Sequence, residues 1–100
     1  MIEKDNFEWD NDKAASNLVK HGVSFETARK AFYDYFAVDI PDKRFDCGED
    51  RYNLLGMVGG HLLVASYTMR NDVIRIILAR GAEPNERRKY YRNNGRLDEI

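Results

Sequence analysis

The chain has 100 residues, of which 43% are hydrophobic and 33% charged, and its formal net charge is −1. That length suits one domain with a single two-layer core, and we predict one domain over residues 1–100. The only cysteine, Cys47, cannot form an intrachain disulfide. No apolar run approaches the ~20 residues of a membrane-spanning helix, and no signal-like segment opens the chain. We therefore expect a cytoplasmic protein that does not contact a membrane.

The first third of the chain predicts a short strand and two helices. Residues 7–9 alternate with the period of a strand. Asp10 is suited to cap a helix over residues 11–21, and Gly22 is suited to end it. Ser24 is suited to cap a second helix, so the two helices should form a hairpin around Gly22.

The remaining sequence predicts a sheet and a third helix. Residues 37–40 resemble a brief strand that is halted by Pro41. Glycine-rich and Asn-Asp turns separate three further predicted strands, at residues 51–58, 61–69 and 73–80. A last helix should start near Pro84 and continue to Tyr91. The order predicts an α+β fold, with an antiparallel sheet of three to four strands, two N-terminal helices packed on one face and a C-terminal helix.

The last predicted strand carries two arginines, and its alternation suggests where they point. A regular strand would place Arg75 on one face and Arg80 on the other. The face with Ile74, Ile76 and Leu78 is the more apolar and should meet the helices. We therefore expect Arg75 on the open face of the sheet and Arg80 to emerge at the end of the strand.

Charge is sorted along the chain. Residues 1–50 contain twelve acids and seven bases, whereas residues 51–100 contain nine bases and five acids. Between residues 70 and 96 there are eight bases and three acids. A basic segment with interspersed tyrosines is typical of a surface that binds phosphate, so the sequence favours an anionic partner such as RNA.

Six sequence blocks together resemble one known family, the BrnT-type toxins. They are Phe-Glu-Trp-Asp (7–10), Lys-His-Gly-Val-Ser-Phe (20–25), Gly-Glu-Asp-Arg (48–51), Tyr-Thr-Met-Arg (67–70), Arg-Ile-Ile-Leu-Ala-Arg (75–80) and Glu-Arg-Arg-Lys-Tyr (86–90). The resemblance implies a RelE-like fold, a toxin of a type II toxin-antitoxin system, ribonuclease activity that arrests translation, and a cognate DNA-binding antitoxin of the BrnA type. DNA would then be contacted only through the antitoxin. One departure is Leu78, where the family leads us to expect a small hydroxyl residue.

RNA cleavage without a metal requires a base, cations that stabilise the charge on the phosphate, and an acid. No Asp, Glu or His cluster has convincing metal-ligand spacing, so we predict a metal-independent enzyme without a cofactor. The candidate catalytic residues are Arg75, Arg80, His21, Lys20 and Glu86. Each also has a structural interpretation. Arg75 could pair with Glu49 or Asp50, Arg80 with Glu86, and both Lys20 and His21 could simply favour the end of a helix.

A second set of residues is predicted to bind RNA through charge, stacking or hydrogen bonds. It comprises Arg51, Tyr67, Thr68, Arg70, Arg87, Arg88 and Tyr91. Tyr67 could equally belong to the core, and the arginines could be solvated. The antitoxin is expected to cover the same basic surface. The alternative function is a non-catalytic module that binds nucleic acid or protein through the basic C-terminal half.

Overall fold

A computed structural model describes residues 6–42 and 50–95. Its elements are β1 (Phe7–Glu8), α1 (Asn11–His21), α2 (Phe25–Ala31), β2 (Val38–Asp42), β3 (Arg51–Val58), β4 (His61–Arg70), β5 (Val73–Gly81) and α3 (Pro84–Asn93). Cys47, and Glu49 as a possible partner of Arg75, lie outside the described residues. No helix in the described part is long and apolar enough to cross a membrane.

The two N-terminal helices start and end at the residues expected of them. The Asp10 side chain accepts hydrogen bonds from the backbone N–H groups of Asp12 and Lys13. Gly22 adopts the left-handed conformation, with φ of 71°, and its N–H donates to the carbonyl of Leu18. The Ser24 side chain caps α2. The predicted range of the first helix is therefore confirmed.

The sheet has five strands in the order β1-β5-β4-β3-β2 and is mixed rather than antiparallel. The prediction of three to four antiparallel strands is wrong because the two-residue β1 pairs in parallel with β5. So short a strand carries almost no sequence pattern. The predicted stop at Pro41 is also wrong, because β2 continues to Asp42. A proline is tolerated there since β2 is an edge strand, where a missing N–H breaks no interior ladder.

The two faces of the sheet are covered unequally. On the face that we call the helix-covered face, α2 packs against β3, β4 and β5, while the main contact of α1 is with β5. The prediction of two N-terminal helices packed on one face does not match exactly, because α1 lies at the edge of the sheet beside β5. The core there consists of Phe25, Ala28, Ala31, Leu54, Ala65, Tyr67, Ile74, Ile76 and Ala79. On the opposite face, which we call the open face, Tyr90 of α3 packs on Leu55, Leu62 and Val64. Beyond this small cluster the open face carries several polar side chains, among them Ser66, Thr68 and Arg75.

Gly56 allows α2 to pack closely on the sheet. A Cβ atom at this position would lie 2.3 Å from the carbonyl oxygen of Ala31 and 2.8 Å from its Cβ. Real Cβ atoms do not approach so closely, so only glycine fits where α2 meets β3.

An irregularity in β5 changes which way its arginines point. Tyr67 pairs with Ile76 but Ser66 pairs with Leu78, so the register shifts by one residue at Ile77. Such a bulge resets the alternation of the strand. Ala79 consequently enters the helix-side core, and Arg80 lies opposite Val64 on the open face. The prediction that Arg75 and Arg80 point to opposite faces is wrong, because the bulge places both on the open face.

Beyond its pairing with β1, the outer edge of β5 forms backbone hydrogen bonds with a side chain of α1. The Asn17 amide donates to the carbonyl of Ala79 at 2.8 Å and accepts from the Ala79 N–H at 3.1 Å. The same amide also donates to the carbonyl of Val23. Asn17 is buried and thereby substitutes for a neighbouring strand, which blunts this edge.

Candidate functional site

A row of polar residues crosses all five strands on the open face. Glu8 pairs with Arg75, Arg75 with Thr68, and Asp42 with Arg51. Arg51 lies beside Thr68, one residue beyond the last paired position of β3 and β4. We call these five residues the charged row. It places two arginines on either side of a threonine, with an acid outside each arginine.

Glu8, the acid at one end of the charged row, forms a salt bridge with Arg75 that leaves both side chains partly exposed to solvent. The Arg75 guanidinium donates to the Glu8 carboxylate at 3.1 Å, and the two side chains remain 29% and 42% exposed. A salt bridge this exposed has a small net energy because water screens it. An anion arriving from solvent can therefore compete for the guanidinium.

Thr68 is the unusual member of the row. The residue is 2% exposed, and within the described part of the chain its Oγ1 has no hydrogen-bond partner. An unsatisfied buried hydroxyl costs about 1–3 kcal/mol, so its presence in a native structure calls for an explanation. Thr68 lies between Arg75 and Arg51 in the charged row and is buried from solvent.

A second polar row lies next to the charged row. The Ser66 hydroxyl donates to the side-chain oxygen of Asn53 at 2.6 Å, and the Asn53 amide reaches Asp42 at 3.4 Å. Leu78 lies directly opposite Ser66. A serine hydroxyl therefore lies across from Leu78 on the same face of the sheet.

Arg80 and Glu86 form a bidentate pair farther along the open face. The two guanidinium nitrogens lie 2.9 and 2.7 Å from the carboxylate oxygens. Glu86 also accepts from the Glu83 N–H at 2.8 Å, at the start of α3. The Arg80 hydrogen bonds hold the pKa of Glu86 below its ordinary value. Its carboxylate is therefore a weak base whose main effect is to fix Arg80.

The two strand arginines share a face but not a single pocket. Their partners on β4, Thr68 and Val64, are four residues apart, which corresponds to about 13 Å along the strand. A groove of about 350 Å³ beside Arg80 is lined by residues of β2, β3 and α3, among them Asn53 and Lys89. Arg75 and Arg80 would therefore contact different parts of an extended ligand.

The other predicted catalytic residues lie on α1, away from the charged row. Lys20 lines a groove between α1 and the outer edge of β5, together with Ile77 and Leu78. His21 lines the same groove and also a cavity at the end of the sheet where β5 ends. Neither of the two residues belongs to the charged row.

Tyr67 and Arg70 occupy opposite environments on β4. The Tyr67 hydroxyl donates to Asp39 at 2.5 Å, and the ring is stacked on Tyr52 in the helix-side core. With only 7% of the residue exposed, little of the ring is available to a nucleobase. Arg70 is exposed at the end of β4, before the turn formed by Asn71 and Asp72.

The candidate residues of α3 lie along its surface. The Arg87 guanidinium is 6.0 Å from the centroid of the Tyr91 ring, so these two residues share one side of the helix. Arg88 is exposed. Tyr91 is half-buried against Tyr90.

Sequence reasoning missed Glu8, Asn53 and Ser66. Asn53 and Ser66 are polar residues within otherwise apolar strands, and this pattern was the available signal. Glu8 gave none, because nothing in the sequence pairs β1 with β5. Among the described residues, no three His, Cys, Asp or Glu side chains form a group suited to a metal ion.

The α+β fold presents the charged row on the open face of the sheet. The family model described as "Ribonuclease toxin, BrnT, of type II toxin-antitoxin system" matches residues 9–86. The chain belongs to this family of ribonuclease toxins, and the resemblance found in the sequence blocks is confirmed. The family implies an RNA substrate and an antitoxin partner. A comparison with curated proteins finds no match. Within the charged row, only Glu8 lies outside the matched residues.

Proposed function

We propose that this protein is a metal-independent, RelE-like endoribonuclease that cleaves RNA on its open face and thereby arrests translation. The observation that carries the proposal is the pair of arginines, Arg75 and Arg51, on either side of Thr68, whose hydroxyl has no partner among the described residues. Guanidinium groups bind phosphate oxygens through fixed donors and keep their charge at every physiological pH.

In the proposed mechanism the scissile phosphate binds over Thr68. Arg75 and Arg51 stabilise the negative charge that builds on the phosphate. The Thr68 hydroxyl is buried in the free protein, and it donates to a phosphate oxygen after Arg75 has moved to the phosphate and uncovered it.

The Glu8 carboxylate is the acid of the row that is paired with Arg75 and open to solvent. It takes the proton of the attacking 2′-hydroxyl once the phosphate has displaced it from Arg75. As the 2′-oxygen bonds to phosphorus, the bond from phosphorus to the 5′-oxygen breaks. The 5′-oxygen leaves with a proton from water, which gives a 2′,3′-cyclic phosphate and a 5′-hydroxyl end.

The remaining cations extend the path of the RNA strand. Arg80, fixed by Glu86, contacts the strand about 13 Å from the scissile phosphate. Lys20 adds a positive charge at the groove beside Leu78. The cognate antitoxin, a DNA-binding protein of the BrnA type, neutralises the toxin by covering this basic surface with an acidic segment.

The test is cleavage of single-stranded RNA by the purified protein in EDTA. Arg75→Gln is expected to lower the cleavage rate about 100-fold, because it removes one charge-stabilising donor. Arg92→Gln is the matched control, since Arg92 is an exposed arginine in the last turn of α3, outside the charged row. Circular dichroism should be the same for all three proteins. Full activity in Arg75→Gln, or no cleavage by the folded wild-type protein, would refute the proposal.

One observation favours the non-catalytic alternative. Both strand arginines already have carboxylate partners, Glu8 and Glu86. A binding module could hold its arginines in this way for an anionic partner without performing chemistry. Salt-sensitive RNA binding without strand scission after long incubation would select this alternative.

A further inference from the structure

A cavity of about 510 Å³ lies at the end of the sheet where β5 ends. His21 from the end of α1, His61 from the start of β4 and Arg87 from the first turns of α3 all line it. These are the only two histidines of the chain. Three elements that are distant in sequence thus bring three nitrogen-rich side chains to one cavity.

The charge of this cavity is one-sided. Of its described lining residues, none is an aspartate or a glutamate, and Arg87 is the one with a permanent charge. Contact with the Tyr91 ring steadies the Arg87 guanidinium on its helix. Imidazole nitrogens add hydrogen-bond donors, and a histidine carries a positive charge when protonated. A cavity of this composition is suited to bind an anion rather than a cation.

The cavity is separate from the charged row. Leu63, which lines the cavity, is five residues from Thr68 along β4, a distance of about 17 Å. One phosphate group cannot reach both places. An extended strand that crosses the open face could place a second phosphate at the cavity.

We propose that this cavity is a phosphate-binding subsite that takes a backbone phosphate of the RNA several nucleotides from the cleavage site. Arg87 supplies the permanent charge, and His21 of α1 and His61 of β4 donate hydrogen bonds. The phosphate chemistry follows from the cavity alone, whereas its assignment to RNA rests on the proposed function.

The two histidines allow a direct measurement by proton NMR, because a chain with two imidazoles has two C2–H signals. The wild-type protein is titrated with inorganic phosphate and, separately, with a 2′-O-methyl RNA oligonucleotide. The oligonucleotide is not cleaved, since it lacks the attacking 2′-hydroxyl. Both signals should shift in a saturable way with each of the two probes.

Variants distinguish the subsite from the charged row. Arg87→Gln should weaken both titrations at least about tenfold, because a charge-assisted hydrogen bond is lost. The matched control Arg92→Gln, in the last turn of the same helix and outside the cavity lining, should titrate as the wild type. Arg75→Gln should leave the phosphate titration unchanged, since Arg75 does not line the cavity.

Each outcome has a defined consequence. Unshifted histidine signals, or equal titrations of the Arg87 and Arg92 variants, would overturn the subsite. A response to phosphate but not to the oligonucleotide would overturn the assignment to RNA. If the protein does not cleave RNA but both titrations shift the histidines, the nuclease proposal fails while the subsite stands.

Discussion

The helix-covered face and the open face of the sheet are built from alternate residues of the same strands, yet their side chains differ in packing and in how completely they are hydrogen-bonded. On the helix-covered face, Phe7, Phe32, Tyr67 and Tyr52 form a chain of ring contacts with centroids 5.1 to 5.4 Å apart. The one hydroxyl that enters this layer from β4, that of Tyr67, has a partner in Asp39. Burial and completed hydrogen bonds make this the face that stabilises the fold.

The open face leaves polar groups incompletely satisfied. Thr68 adjoins Tyr67 in sequence, but its equally buried hydroxyl has no partner in the described part of the chain. Arg75 is paired but still exposed to solvent. One strand therefore carries a stabilising residue and a candidate functional residue next to each other, because successive side chains of a strand point to different faces. Substitutions on the two faces should therefore separate stability from activity.

The largest effect is expected at Gly56, under α2. Gly56→Ala would place a Cβ 2.3 Å from the Ala31 carbonyl oxygen and should lower the free energy of unfolding by about 3 kcal/mol. Urea denaturation measures this loss. Gly81→Ala is the control, since a Cβ there meets nothing within 4 Å. Equal stabilities of the two variants would contradict the close contact between helix and sheet.

The next largest effect is expected at Asn17, which satisfies the edge of β5. Asn17→Ala would leave the buried N–H and carbonyl groups of Ala79 without partners, at a cost of about 2 kcal/mol. Asn11→Ala, an exposed substitution in the same helix, should change stability much less. Hydrogen exchange of the Ala79 amide gives a local readout. Unchanged protection in Asn17→Ala would show that the side chain does not protect this edge.

Thr68→Val tests the open face by moving stability and activity in opposite directions. The substitution removes an unsatisfied buried hydroxyl with little change of shape, so the protein should gain about 1 kcal/mol of stability. RNA cleavage should fall about tenfold if that hydroxyl contacts the phosphate. Thr27→Val is the matched control, because the Thr27 hydroxyl accepts from Ser24 at 2.9 Å and its loss should not stabilise. A loss of stability in Thr68→Val would contradict the inference that the Thr68 hydroxyl lacks a hydrogen-bond partner in the free protein.

The smallest effect concerns the Arg80–Glu86 pair and depends on pH. Because the folded-state pKa of Glu86 is lowered, the pair stabilises the protein above the ordinary pKa of 4.5. This stabilisation is lost as the pH falls through the lower, folded-state pKa. Glu86→Gln should therefore cost about 1 kcal/mol at pH 7 and progressively less below pH 4.5. Denaturation curves at several pH values measure the difference, and a cost that does not vary with pH would contradict the ion pair.

Local patterns in the amino-acid sequence were sufficient to predict the ends of helices and hairpins and to indicate the family. Capping residues such as Asp10 and Ser24, and turns such as Gly59-Gly60, act over a few residues, so the pattern around them fixes where helices and hairpins start and end. The six sequence blocks identified the family for a related reason, since they are contiguous stretches of residues.

Which side chains converge depends on the pairing of strands that are distant in sequence, and this pairing is seen in the tertiary structure. The parallel pairing of β1 with β5 joins Glu8 to Arg75, which are 67 residues apart, and no local pattern encodes such a contact. The bulge at Ile77 turned Arg80 to the same face as Arg75, although regular alternation predicted the opposite. The order of the strands then aligned Arg51, Thr68 and Arg75 in one row. Long-range packing sets these relations, because the favourable register is the one that buries the whole helix-covered face at once.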